Sequence, residues 1–332
     1  VSYDHLVNRL LALALAVLVH TLTLAFVAVG LWTAYVNSGL LIGWLFGGLL
    51  VAIGWMLRPR LSTGLPADAE VLDRSAAPEL YGLAERVADR VGVPRPHRVA
   101  VRDLDPRTRY LRTGPRRTPT LTVGLPLWLA LSPRQRVTML AAACAETPSA
   151  EEVVVDGALS TLAEWREALL GAAPLRVREE AQTKVTAASL TAEHPGTGYE
   201  VAGLLGRAIG RVLGGPVLLV EYVLTRLARS DEGRRRRRRE ERALRAVPAA
   251  DLAELEALAA GGRYLAPMQA AALRGESVAS IRAGALDRVL PGDGVRTSAP
   301  GAQVLGSAES DRIDEELERH YDRAVRGFGL IS

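Results

Sequence analysis

Between residues 10 and 57 the chain carries no Asp, Glu, Lys or Arg. As one helix that stretch would be roughly 70 Å long, against a bilayer hydrocarbon core of about 30 Å. The pattern predicts two spans, near residues 10–35 and 40–57, joined at Asn37-Ser38-Gly39, whose residue types suit a tight turn. Trp32 and Tyr35 fall near one interface and Trp55 near the other, as aromatic belts require. Arg9 precedes the pair and Arg58 and Arg60 follow it, while the turn is uncharged. The positive-inside rule then places both ends in the cytoplasm, giving a multi-pass protein of the cell membrane whose soluble part faces inward. A cleaved signal peptide fits less well, because the apolar run is long and a second span follows at once.

A third apolar stretch, residues 201–227, is interrupted by Arg207, Arg211, Glu221 and Arg226. Its uncharged part is far shorter than the roughly 20 residues of a span. Arg207 and Arg211 stand one turn apart and share a face, so the stretch predicts an amphipathic helix on the membrane surface or on the soluble core. A re-entrant or crossing segment is the alternative.

Elsewhere the pattern is that of a soluble domain. Residues 79–88 place apolar side chains at 80, 83, 84 and 87, a helical spacing that Gly92, Pro94 and Pro96 end. Residues 98–102 and 118–123 read as strands, with a polar loop or hairpin between them. Ser132 and Pro133 open a helix as N-cap and first helical residue; Val137, Leu140, Ala141 and Cys144 form its apolar stripe, and Pro148 closes it. Residues 150–170 predict another helix and 171–199 a loop-rich segment. Further helices are expected at 252–258 and 281–290, with a linker at 291–306 and a last amphipathic helix at 311–325. The fold class is mainly α with a small β-sheet.

Composition adds constraints. A net charge of +4 with 23% charged residues gives no reason to expect a nucleic-acid partner. Cys144 is the single cysteine, which excludes an intramolecular disulfide and a cysteine-based zinc finger. On the apolar stripe it reads as a core residue rather than a nucleophile.

The segments LDRSAAPELYGLAERVADRVGVPRPHRVAV (72–101), LTVGLPLWLALSPRQRVTMLAAA (121–143) and SDRIDEELERHYDRAV (310–325) resemble HtpX-like membrane zinc metallopeptidases, peptidase family M forty-eight. The resemblance implies a zincin-like domain behind a transmembrane hairpin: residues 1–60 as hairpin, 61–200 as peptidase-like domain, 201–230 as the membrane-associated helix and 231–332 as the domain's C-terminal helical part. It also implies a His-Glu-x-x-His helix, whose two imidazoles share a zinc ion and whose carboxylate activates water. On this chain those positions fall at Ala142, Ala143 and Glu146. A methyl group neither ligates zinc nor accepts a proton, and a lone Glu146 is a weak ligand. The family's third ligand falls near Arg234, leaving Glu232, Glu240 and Glu241 as neighbours. The chain therefore reads as a degenerate member in which zinc is expected to be absent. His5, His20, His97, His194 and His320 show no ligand spacing, and a substitute site from Glu146, His194 and His320 has less behind it than surface or loop histidines.

The run Arg234, Arg235, Arg236, Arg237, Arg238 and Arg239 remains. Together with Arg207 and Arg211 it reads as a surface for anionic headgroups, or as a solvated charge run partly neutralised by Glu240 and Glu241. The expected function is a membrane-anchored, proteolytically inactive binding, scaffold or regulatory protein, its partners the lipid bilayer and a protein or peptide ligand. The alternatives are a metalloendopeptidase with a non-standard metal site, and a protein that docks on anionic membranes through its arginines.

Overall fold

The N-terminal residues form two helices, α1 (Ser2–Val36) and α2 (Leu41–Met56), which take in most of the uncharged stretch. The computed structural model describes residues 2–56, 64–114, 116–170, 197–261, 264–289 and 304–328. The chain divides into two compact units, Val1–Leu61 with Pro148–Gly233, and Ser62–Thr147 with Arg234–Ser332. The expected domain of 61–200 is thus shared between them.

In the first unit, α1 has two different halves. Toward its C-terminus it pairs with α2 through small residues. A Cβ at Gly47 would lie 2.7 Å from the Gly30 carbonyl oxygen, and one at Gly54 would meet the Val27 backbone at 3.0 Å. Such close approach through glycine is the packing of helices in lipid, where burying apolar side chains against each other gains little over lipid tails. Thr21, Thr23 and Thr33 donate their hydroxyls to carbonyls four residues back, so each hydroxyl of this trio is paired within the helix. Leu31, Trp32, Tyr35, Leu41, Ile42, Trp44, Phe46 and Leu49 are exposed apolar groups on these two helices.

Toward its N-terminus α1 buries Ala12, Ala16 and Val19 against α6 (Ala150–Leu170) and α7 (Thr197–Ser230). Those helices contribute Val155, Ala158, Leu162 and Trp165, and Val217 and Leu224. An ion pair between Arg9 and Glu151 joins α1 to the start of α6, and His20 Nε2 lies 3.1 Å from the Val154 carbonyl oxygen.

Val7–Val36 is long and apolar enough to cross a bilayer. Such a helix near the N-terminus fits a membrane anchor or a signal sequence. The second helix departs from expectation: its 16 residues span about 24 Å, short of the ~30 Å core. The expected surface helix at 201–227 is longer than its apolar stretch, running from Thr197 through Pro216 to Ser230. The loop expected at 171–199 lies outside the described residues except for its last three, which are helical.

The second unit is built on a four-stranded sheet in the order β1-β2-β4-β3, from β1 (Ala69–Val71), β2 (Arg98–Arg102), β3 (Arg109–Thr113) and β4 (Thr118–Gly124). The central pair β2 and β4 is parallel, and each edge strand is antiparallel to its neighbour. Helix α3 (Pro78–Val91) ends at Gly92, whose φ of 80° is the left-handed conformation glycine adopts without a Cβ clash. Tyr81 ties α3 to the sheet: its hydroxyl donates to the Leu72 carbonyl and accepts from the Val99 amide.

Gly124 leads into α4 (Leu125–Ala130), whose six residues are all buried. Helix α5 (Pro133–Ala145) follows, and α8 (Glu232–Ala243), α9 (Ala249–Gly261), α10 (Leu265–Leu273), α11 (Val278–Val289) and α12 (Ser307–Phe328) complete the unit. Helix α12 buries Ile313, Leu317, Tyr321 and Ala324 in the core. Its Glu316 carboxylate accepts from the Glu79 and Leu80 amides at 2.8 and 3.1 Å, satisfying free N–H groups at the start of α3.

Candidate functional site

The helix expected to carry the chemistry forms as its sequence specifies. Ser132 and Gln135 make a reciprocal capping box: Ser132 Oγ accepts from the Gln135 amide, and Gln135 Oε1 accepts from the Ser132 amide. Two side chains of the first turn reach α9: Arg134 donates to Asp251 at 2.6 Å, and Gln135 to Glu254 at 2.6 Å.

The expected one-sided apolar stripe is instead a helix buried nearly all round. From residue 139 to 145 every position is buried except Ala142. Ala143 is 3% exposed and Cys144 1%, both inside the main core. Glu146 caps the helix, exposed, one turn beyond Ala142 on the same face. The two positions that the resemblance assigns to a histidine pair, Ala142 and Glu146, thus share the accessible line of α5, whereas Ala143 faces the core.

Burial alone raises the Cys144 thiol from its usual 9.0 to about 12. A group whose proton is held more tightly in the folded chain favours unfolding once the unfolded thiol ionises. Stability is therefore expected to fall as pH rises from about 9 to 12, by up to about 1.4 kcal/mol per pH unit from this thiol. Tyr110, raised to about 12 mainly by burial, adds to the same limb above its usual 10.0. Denaturant midpoints of wild type and Cys144→Ala across that range measure the thiol's share. A maleimide at pH 8 is expected to leave the folded chain unlabelled and to react when denaturant is added.

The end of α5 meets α8 through an arginine. Arg242 Nη1 donates to the Thr147 carbonyl at 2.9 Å, immediately after Glu146. Glu232, Glu240 and Glu241 are exposed along α8. Of the arginine run, Arg234, Arg236 and Arg237 are exposed, whereas Arg235, Arg238 and Arg239 share a half-buried face with Arg242. The run is therefore an ordered helix with two different faces rather than a uniformly solvated tract. The side chains of Arg207, Arg211 and His5, and all of His194, lie outside the described residues. Among the described residues no group of three His, Cys, Asp or Glu side chains is placed to hold a metal ion.

His97 is exposed, but His320, expected at the surface or in a loop, is 1% exposed. Its Nδ1 lies 2.9 Å from Arg323 Nη2, which also pairs with Glu70 at 2.6 Å and with Asp103. Burial, partly opposed by Glu70, holds this imidazole below its usual pKa. Its side chain reaches the core because α12 is amphipathic and residue 320 lies next to Tyr321 and one turn from Leu317 and Ala324.

The largest buried polar group lay outside the sequence expectations. Arg136 is 0% exposed, donates to Ser310 Oγ at 2.8 Å, and pairs with Asp314 at 2.8 Å. Its guanidinium lies over the Trp128 ring, 4.7 Å from the centroid. Asp314 also pairs with Arg282 and accepts from the Tyr321 hydroxyl at 2.7 Å. Desolvation holds both arginines below their ordinary pKa. One carboxylate thus serves two guanidinium groups and joins α5, α11 and α12. Arg136 adjoins the apolar stripe in sequence, but nothing in the residue string couples it to a position 178 residues away.

No family model, curated protein or solved structure matches the chain.

Proposed function

We propose that this chain is a membrane-anchored, hydrolytically silent homologue of the HtpX-type peptidases, acting as a binding, scaffold or regulatory protein. The reading is carried by the pair Ala142 and Ala143. They occupy the capped helix that follows a small mixed sheet, where a first imidazole and a catalytic carboxylate would stand. The zincin-like domain then serves as a surface for a protein or peptide ligand, and α1 with α2 anchors it as a hairpin with both ends in the cytoplasm. Where α2 is too short to span on its own, local thinning of the bilayer at modest cost accommodates it.

Restoring the missing imidazoles tests this. The double variant Ala142→His/Glu146→His places two histidines one turn apart on the accessible line of α5. Calorimetric titration with zinc is expected to show uptake by the variant at an affinity at least about tenfold above wild type. Equal, stoichiometric uptake by both proteins would overturn the silent reading in favour of a non-standard metal site.

A second reading, docking on anionic membranes through the arginine run, is favoured by the exposure of Arg234, Arg236 and Arg237. It narrows the run to those three side chains and is compatible with the first.

A further inference from the structure

Along α7 the side chains change character on the face turned away from the core. Val217 and Leu224 are buried against α1 and α6. On the other side Leu218, Leu219 and Tyr222 are exposed apolar groups, and Arg226 and Arg229 follow one and two turns later. From Leu218 to Arg229 is about 16 Å along the helix axis. A groove of about 500 Å³ runs over this face, lined by Leu218, Tyr222, Thr225, Arg226 and Arg229 with the Arg166–Glu221 pair of α6 and α7. That pair is 2.8 Å apart, so among the described lining residues one arginine is matched by the one carboxylate, while Arg226, which donates to the Tyr222 hydroxyl at 3.4 Å, and Arg229 exceed it. The lining is thus apolar at one end and positive at the other.

We propose that this face of α7 binds an anionic phospholipid, with the phosphate at Arg226 and Arg229 and the acyl region along Leu218 and Tyr222. Charge complementarity selects the anionic headgroup, because guanidinium forks match phosphate oxygens. The apolar end selects a lipid over a free phosphate, which has nothing to place against Leu218. The groove lies in the same unit as α1, the helix long and apolar enough to cross a bilayer, so the ligand is drawn from the membrane that helix enters. Tyr222 stands between the two ends, where an aromatic ring with a polar tip marks the boundary of hydrocarbon and headgroup. This site is distinct from the Arg234–Arg239 run and rests on the membrane anchoring proposed above.

The test titrates the full-length chain in detergent with phosphatidylglycerol, phosphatidylcholine and inorganic phosphate, reading bound lipid by native mass spectrometry. Phosphatidylglycerol is expected to bind at least about tenfold more tightly than phosphatidylcholine, and inorganic phosphate is expected not to displace it. The double variant Arg226→Gln/Arg229→Gln should weaken phosphatidylglycerol binding about fivefold per arginine, roughly 25-fold in all. Arg226→Lys/Arg229→Lys keeps the charge but not the forks and should fall between wild type and the glutamine pair, and Arg234→Gln/Arg236→Gln/Arg237→Gln should change binding less than about twofold. Equal affinity for the two lipids, displacement by phosphate alone, or indifference to the glutamine pair would overturn the proposal. Alkaline carbonate extraction of membranes separates the two ideas: release of the wild-type chain sinks the anchoring, whereas retention with no headgroup preference sinks only this site.

Discussion

Replacing Gly47 by leucine is expected to separate α1 from α2 and to lower the stability of the hairpin by more than about 3 kcal/mol. Overpacking a well-packed contact with added methylenes typically costs about 1–3 kcal/mol and occasionally more. Here the nearest atoms are the Gly30 carbonyl oxygen at 2.7 Å and the Ala34 Cβ and amide nitrogen, both at 2.8 Å, all fixed by the backbone. Backbone in a helix yields only if the helices part. A Cβ at Gly48, the next residue, would meet nothing within 4 Å, so Gly48→Leu changes the same composition without the clash. Denaturant-driven unfolding of the full chain in detergent, followed by circular dichroism, compares them. Gly47→Leu should lose its first transition at far lower denaturant than Gly48→Leu, and equal midpoints would contradict the close helix contact.

The second large effect is expected at Asp314. Its carboxylate compensates Arg136 and Arg282 and accepts from Tyr321. Asp314→Ala leaves a guanidinium that is 0% exposed without its counter-charge, which costs about 3–5 kcal/mol. For a unit of this size that corresponds to a fall in Tm of roughly 10 °C. Arg136→Met should cost clearly less: it removes one charge of like sign, leaves Asp314 paired with Arg282, and keeps an unbranched apolar stem over Trp128. Thermal unfolding that ranks Asp314→Ala below Arg136→Met supports the assignment. A loss below about 1 kcal/mol for Asp314→Ala would show that the carboxylate is not what neutralises the pair.

What the sequence made legible follows from the range of the interactions involved. The helix at 133–145 was readable because its start is encoded locally, by Ser132, Pro133 and Gln135 within four residues. The end of α3 was readable for the same reason, since Gly92 is a local stop signal. Strand β1 was not, having only three residues, and β3, expected only as part of a loop or hairpin, reads Arg-Tyr-Leu-Arg-Thr, with Arg109 exposed and Arg112 half-buried at the sheet edge. Their hydrogen bonds come from β2 and β4, partners that a local pattern does not name. Helix α4 escaped notice because Leu125–Ala130 is apolar at every position but its proline, which suits a buried strand as well as a buried helix.

The division of labour along α1 was hidden for a related reason. Small and apolar residues serve equally well against lipid, against α2 or against α6 and α7. Charge-free composition marks the stretch as apolar but does not say which partner each face meets. At the candidate site, the resemblance drew attention to Ala142, Ala143 and Glu146. It did not reveal that Ala143 faces the core, that Arg242 meets the end of α5, or that His320 is buried beside Arg323.

The most direct measurement uses the full chain purified from membranes in mild detergent, analysed for bound metal and for cleavage of unfolded casein. Substoichiometric zinc, and no cleavage that a chelator abolishes, is the expected result for a helix with methyl groups at residues 142 and 143. One zinc ion per chain together with chelator-sensitive cleavage would contradict it.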